Sequence, residues 1–276
     1  MINKRYIVVI AGTSLLVILG IWLAGSRVGH ALTRSRKHFI EHPLDQRILF
    51  EPGAEEMATI FASILPVAIS RVEDAQIYPF RKTFRVYVCS SQERFNEYLA
   101  LAGSYYPVRG AVLWGNILIA PSAFNFMGMD THRETLIHEL SHLHFRQRLG
   151  RLKERRIPVW FREGYADLVA GSGGEGVTET EAFQMILSGK HFIPEESSGL
   201  FRPFQKAQNN LSGPAFHRQA KMFVSFLAEK DTVQFRLLIR DLQDGIPFAD
   251  SYMRLAGEDI QSSWIQFVDS LLSKDF

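Results

Sequence analysis

Residues 131–171 read THRETLIHELSHLHFRQRLGRLKERRIPVWFREGYADLVAG, and this stretch decides the reading of the whole chain. Within it, His138-Glu139-Leu140-Ser141-His142 is an H-E-x-x-H pattern. On a helix, positions four apart share one face about a turn from each other, so two imidazoles there can grip one metal ion. The helix is supported independently of the motif. Thr131 followed by Glu134 is a capping-box pattern, and Leu136, Ile137, Leu140 and Leu143 form an apolar stripe. Glu139 projects beside the histidines, suited to take a proton from a water held at the metal. The competing readings are a surface helix with two solvated histidines, or a metal site kept only for folding.

A third ligand separates these readings. Pro158 before Val159 and Trp160 marks a helix start, and Glu163 on that helix lies 21 positions after His142. A carboxylate there completes a His2Glu set and leaves a fourth position open, the arrangement of a catalytic rather than a structural zinc. Asp167, four residues after Glu163, shares its helix face and is placed to accept the free ring N–H of a ligand histidine. The plain alternative is an exposed acidic helix face, with Trp160 and Phe161 as core. One Zn2+ per chain is the expected cofactor, held by His138, His142 and Glu163.

HELSH followed by WFREGYA resembles the gluzincin zinc metallopeptidases, specifically the small membrane-anchored or secreted group called peptidase MA-like. Further pieces are similar to that group: ILFEPGAEEMATIFASILPVA with FRVYVCSSQERFNEYL at the front, and AFHRQAKMFVSFL through SWIQFVDSLL at the back. The resemblance spans roughly residues 45–272, and only the HELSH and WFREG pieces are highly specific. It implies a zincin-like metallopeptidase fold, with His138, His142 and Glu163 as zinc ligands and Glu139 as general base for peptide-bond hydrolysis. It also implies that the strand Asn116–Ala120 edges the cleft and pairs with an extended substrate. Members of the group often carry a tyrosine early in the helix that begins near Ala215, where this chain has Phe216 and His217. His217 and Tyr165 are the candidate oxyanion donors, each with a purely structural alternative.

Working outward, the fold class reads as α+β: a small mixed sheet followed by a mostly helical part. Asp45–Glu51 and Phe84–Cys89 are expected strands. Ala54–Val72 reads as a helix with Met57, Ile60, Phe61, Ile64 and Leu65 on one face, kinked or divided by Pro66. Ser90 with Glu93 predicts a capped helix to about Ala102, and Ala111–Trp114 with Asn116–Ala120 predicts a hairpin about one glycine. Past Pro121 the pattern is helical, broken at Gly171–Gly176 and again over Glu195–Asn210. The division expected is 1–30 as an anchor, 31–44 as a basic linker and 45–276 as the metallopeptidase domain. Within that domain, 45–130 is strand-rich and 131–276 helical.

The anchor rests on Tyr6–Gly25, which carries no charge and is mostly aliphatic. Twenty helical residues cover the roughly 30 Å hydrocarbon core, longer than the apolar part of most cleaved signal peptides. Lys4 and Arg5 precede the run, while Arg27, Arg34, Arg36 and Lys37 follow it. The five-residue leading tail favours an N-in arrangement, with the body on the extracytoplasmic side of the membrane.

Composition bounds the remaining choices. Lys plus Arg number 31 against 29 Asp plus Glu, a balance unlike that of nucleic-acid binders, so no nucleic-acid partner is expected. Cys89 is the single cysteine, which excludes an internal disulfide and any Cys-built metal cluster within one chain. Arg146–Arg156 holds six basic residues and one acidic, read either as a solvated face or as a contact for a membrane surface or an acidic substrate. The function expected is therefore a membrane-anchored zinc metallopeptidase acting on a peptide or protein. The alternative is a zinc-binding pseudo-peptidase that serves as a binding or assembly module at the membrane.

Overall fold

Alternation of short apolar runs with turn residues builds a five-stranded sheet, here in a computed structural model that describes residues 35–99, 108–196 and 211–273. Ile40–Glu41 (β1) runs antiparallel to Ile48–Phe50 (β2). Helix Glu55–Gln76 (α1) crosses over to Val86–Val88 (β3), which lies parallel to β2 with Ile48 opposite Val86. After Gln92–Leu99 (α2), Gly110–Leu113 (β4) and Asn116–Ile119 (β5) form a hairpin. Its turn places Trp114 and Gly115 at φ 48° and 78°, the positive-φ pair of a two-residue hairpin turn. β5 inserts parallel beside β3, so the spatial order is β1-β2-β3-β5-β4 and β4 is left at the edge.

All described strands precede residue 120, and helices follow. These are His132–Glu154 (α3), Val159–Ala170 (α4), Glu179–Leu187 (α5), Gly213–Lys230 (α6), Thr232–Gln243 (α7), Phe248–Ala256 (α8) and Ile260–Leu272 (α9). The architecture is thus α+β, mostly helical with a small mixed sheet. No helix among the described residues is long and apolar enough to cross a membrane. The expected anchor at 1–30 lies outside the described residues, as do residues 31–34 of the basic linker.

The three inner strands, β2, β3 and β5, are buried on both faces. Ile48, Phe50, Val86, Val88, Ile117 and Ile119 point into one large core shared with α1, α3, α4 and α6. Leu49, Tyr87 and Leu118 point the other way, onto Phe39, Phe95 and Tyr98. Each fully buried large side chain contributes about 1.5–3 kcal/mol. The tightest helix contact is α4 on α6, where a Cβ on Gly164 would stand 2.5 Å from the Ala220 carbonyl oxygen. Only glycine lets the two axes come this close.

Several local expectations are corrected. The first expected strand, Asp45–Glu51, shrinks to Ile48–Phe50 because Asp45 turns back to bind its neighbour: its carboxylate accepts from the Arg47 backbone N–H at 2.9 Å. α1 runs through Pro66 undivided. Pro66 sits on the exposed face between buried Leu65 and Ala68, so water can satisfy the carbonyl it cannot bond while the buried side holds the helix. The capping box at Ser90–Glu93 does not form. Ser90 is drawn to Glu51, and the neighbouring Ser91 receives the Arg94 N–H instead. Thr131 also fails to cap α3, because its hydroxyl donates to the Ala123 carbonyl at 3.0 Å. Among the described residues the one complete capping box is at Thr178–Glu181, at the start of α5.

A buried polar chain ties α1, α3 and α7 together. Gln76 donates to the Ser141 carbonyl (3.0 Å) and accepts from Gln243 (2.6 Å). The His144 ring donates from Nε2 to the Tyr78 carbonyl (2.7 Å), which leaves Nδ1 to accept from the Gln243 amide (3.2 Å). This is a neutral histidine. Burial pushes its pKa below the ordinary 6.5, and a second ring proton would face the Gln243 N–H. Because the folded-state pKa is depressed, the stability is complete above about pH 6.5 and is lost as the unfolded chain takes up its proton below it. The contribution of this group to the unfolding free energy should therefore fall on acidification from pH 6.5 to 5, by up to about 1.4 kcal/mol per pH unit. Urea titrations of His144→Gln should show a flatter dependence; an unchanged slope would remove His144 as its cause.

Candidate metal centre

α3 carries His138, Glu139 and His142 past the open end of β4, and α4 crosses it so that Glu163 faces the two histidines. His142 Nε2 lies 3.0 Å from His138 Nε2 and 3.1 Å from Glu163 Oε2, and His138 Nε2 lies 3.4 Å from that same oxygen. Tetrahedral coordination with bonds of about 2.0–2.1 Å requires donor-to-donor edges of about 3.3–3.4 Å. The three edges observed are close to that triangle. Among the described residues these three form the group able to hold a metal ion. Two imidazole nitrogens and a carboxylate oxygen gathered this closely are a donor set that fits a divalent cation and leaves room for a fourth ligand.

Asp167 fixes the arrangement from beneath. Its Oδ1 accepts from His138 Nδ1 at 2.8 Å, which turns the His138 Nε2 lone pair toward the centre. Its Oδ2 accepts from His217 Nδ1 at 2.7 Å. Burial opposes the charge on Asp167, but His217 and His138 outweigh it and hold the carboxyl at about 2, so it is ionised at any working pH. Burial likewise opposes the protonated forms of His138 and His217, and Asp167 overrides it to raise both. Glu163 is held well below the usual carboxylate range by His142, His138 and Arg162 against the cost of burial. The field that favours protons on these rings would also favour a cation at the same nitrogens, so a metal ion would have to displace those protons.

Two glycines make the packing possible. A Cβ on Gly110 would stand 2.7 Å from Cγ of Glu139, so β4 lies directly against the base of that side chain. Gly173, at φ +117°, brings the 171–176 loop over Asp167, where a Cβ would stand 2.7 Å from the carboxylate carbon. This loop is the glycine-rich break seen in the sequence, and here it covers Asp167.

The cleft above the triad has a volume of about 300 Å3 and includes Arg109, Gly110, Phe126, Glu139, Glu175 and His217 in its lining. Arg109 pairs with Glu175 at 2.9 Å, and its guanidinium lies 4.6 Å over the Phe126 ring. Sequence reasoning missed Arg109 and Glu175. The only signal was one acidic residue inside a glycine run, which had no identifiable partner before folding.

Of the two oxyanion candidates, the structure brings His217 to the cleft and removes Tyr165. Tyr165 is 3% exposed, and its hydroxyl donates to the Ala75 carbonyl at 2.7 Å, so it serves α4–α1 packing. The cleft strand is also corrected. Asn116–Ile119 lies inside the sheet between β3 and β4, and the edge beside Glu139 is β4. No protein-family model matches the chain and no curated protein matches it significantly, so the geometry carries the functional reading.

Elemental analysis after dialysis should find one divalent metal per chain and a marked loss in Glu163→Ala. Asp167→Asn should bind it about 10–100-fold more weakly in a chelator competition. Full metal content in Glu163→Ala would rule out this triad as the binding site.

Proposed function

We propose that the chain is a zinc-dependent metallopeptidase of the gluzincin, peptidase MA-like kind, with a zincin-like fold. In this reading an N-terminal anchor holds its body on the extracytoplasmic face of a membrane. The observation that carries the reading is the convergence of His138, His142 and Glu163 with Glu139 on the same helix at the floor of one cleft. When bound, zinc supplies Lewis acidity, polarising a carbonyl and acidifying water.

The chain's own residues do the rest. Glu139 accepts the proton of the attacking water and passes it to the departing amine nitrogen as the C–N bond breaks. Asp167 keeps His138 in the tautomer that presents Nε2 to the ion. His217 donates from Nδ1 to Asp167, and that carboxylate raises its pKa; in the doubly protonated form the ring also donates from Nε2 to the oxyanion of the attacked carbonyl. Arg146 Nη1 already binds the Val112 carbonyl at 3.0 Å, so the part of the β4 edge open to an extended substrate is the part around Gly110. A peptide laid there passes directly over Glu139.

Glu139→Gln should keep the metal and the fold but lose turnover by at least about 100-fold on a peptide library. Undiminished cleavage by this variant would sink the assignment. A parent chain that binds zinc yet cleaves nothing in the library would favour the pseudo-peptidase.

A further inference from the structure

Four chain segments meet at the end of the sheet away from the cleft. The Val86 N–H donates to the Arg47 carbonyl at 2.8 Å, and the Arg85 N–H to Asn116 Oδ1 at 2.9 Å. The Lys82 N–H donates to the Gln147 side chain at 2.9 Å, and Arg81 Nη1 to the Arg148 carbonyl at 3.3 Å. The β1–β2 turn, the loop before β3, the hairpin tip and α3 at Gln147–Arg148 therefore form one surface. Past the kink at Gly150 the chain stays beside it: Lys153 Nζ would lie 3.4 Å from a Cβ on Gly245, next to the Asp244 that pairs with Arg148. The Arg36 guanidinium stacks 4.8 Å over Trp114 at the hairpin tip, so the segment leading back to the N-terminus enters the body here.

That surface is basic. Arg36, Arg81, Lys82, Arg85, Arg151 and Lys153 are all exposed. The carboxylates in contact with it are engaged: Glu41 with Arg85 (3.1 Å), Asp45 with Arg47 (2.6 Å) and Asp244 with Arg148 (3.7 Å), while Glu73 accepts the Phe80 N–H (2.8 Å). Apolar side chains stand among the charges. Leu44 is 79% exposed, Leu152 68% and Trp114 39%. Cations beside an amphipathic ring and protruding leucines match the headgroup region of a bilayer, where both kinds of group are satisfied at once.

We propose that this basic end of the body is a docking surface for anionic lipid headgroups. The proposal rests on the reading of Tyr6–Gly25 as an anchor. Only residues 26–34 separate that run from Ser35, a tether of at most about 35 Å. The tether joins the body at the basic end, so this end faces the membrane. His142 and Arg148 are six residues apart on α3, or about 9 Å along the axis, so docking would hold the cleft close above the lipid surface. Substrates within reach would be extended segments next to the same bilayer.

The test uses the full chain carrying an environment-sensitive fluorophore at Leu152→Cys, with Glu229→Cys as a label distant from the surface. Each is reconstituted into phosphatidylcholine vesicles, with and without 30% phosphatidylserine. The label at position 152 should shift to the blue only in phosphatidylserine vesicles. The shift should disappear in 0.5 M salt, where screening shortens the Debye length from the roughly 10 Å of 0.1 M salt. It should also disappear in Lys82→Glu/Arg151→Glu/Lys153→Glu, while the label at 229 stays unchanged throughout. Equal emission from position 152 in both lipids overturns the docking surface even if carbonate leaves the chain in the membrane, which keeps the anchor. Extraction by carbonate with a phosphatidylserine-dependent shift at 152 supports the surface and overturns the anchor.

Discussion

The buried carboxylate of Asp167 is the constraint on which the site depends. It sits on α4 and reaches His138 on α3 and His217 on α6 with its two oxygens. A carboxylate this deep is tolerated only because both oxygens carry charge-assisted bonds. Those bonds in turn set which ring nitrogen of each histidine is left for chemistry. The glycine at 173 closes the loop over it, and the glycine at 164 brings α6 near enough to α4 for His217 to reach it. Moving α3 or α6 out of register would leave one of the two buried oxygens of Asp167 without its histidine.

Around that constraint the molecule divides its work by position along α3. Its first turns pack beneath the sheet edge and present His138, Glu139 and His142. Its middle carries His144 into the neutral hydrogen-bond chain with Gln76 and Gln243. Its last turns, past the kink at Gly150, carry the basic stretch that closes on Glu154, where Arg162 binds that buried carboxylate at 3.2 Å. Arg162 also stands 3.5 Å from Glu163, so that carboxylate is steadied from outside the triad. One helix thus couples site, core and surface.

Where local patterns misled, a tertiary partner had outbid a local one. Thr131 and Ser90 both had the sequence context of a helix cap, and both turned instead to groups brought in by the fold, the Ala123 carbonyl and Glu51. Pro66 had the context of a helix breaker, but the packing of Leu65 and Ala68 exceeds the loss of one solvent-facing hydrogen bond. Tyr165 stood beside the metal-binding motif in sequence and was aimed into the core by the helix period, since it lies two residues from Glu163 and therefore on another face.

The sequence by itself determined the four helical positions of the candidate site. The i, i+4 spacing of His138 and His142, and of Glu163 and Asp167, is a property of any helix, and helices were legible from periodicity. It also determined that the strand-forming segments end before a long, wholly helical part. Only the tertiary structure decided what crosses between elements: that β4 and not β5 is the edge beside Glu139, that Arg109 meets Glu175, and that Asp167 serves two histidines. It alone also gathered the basic residues of four segments onto one end. The physical reason is range. Helical spacing is fixed by bonds within a turn, whereas sheet order, ion pairs and surface charge depend on contacts between segments far apart along the chain, which no local pattern encodes.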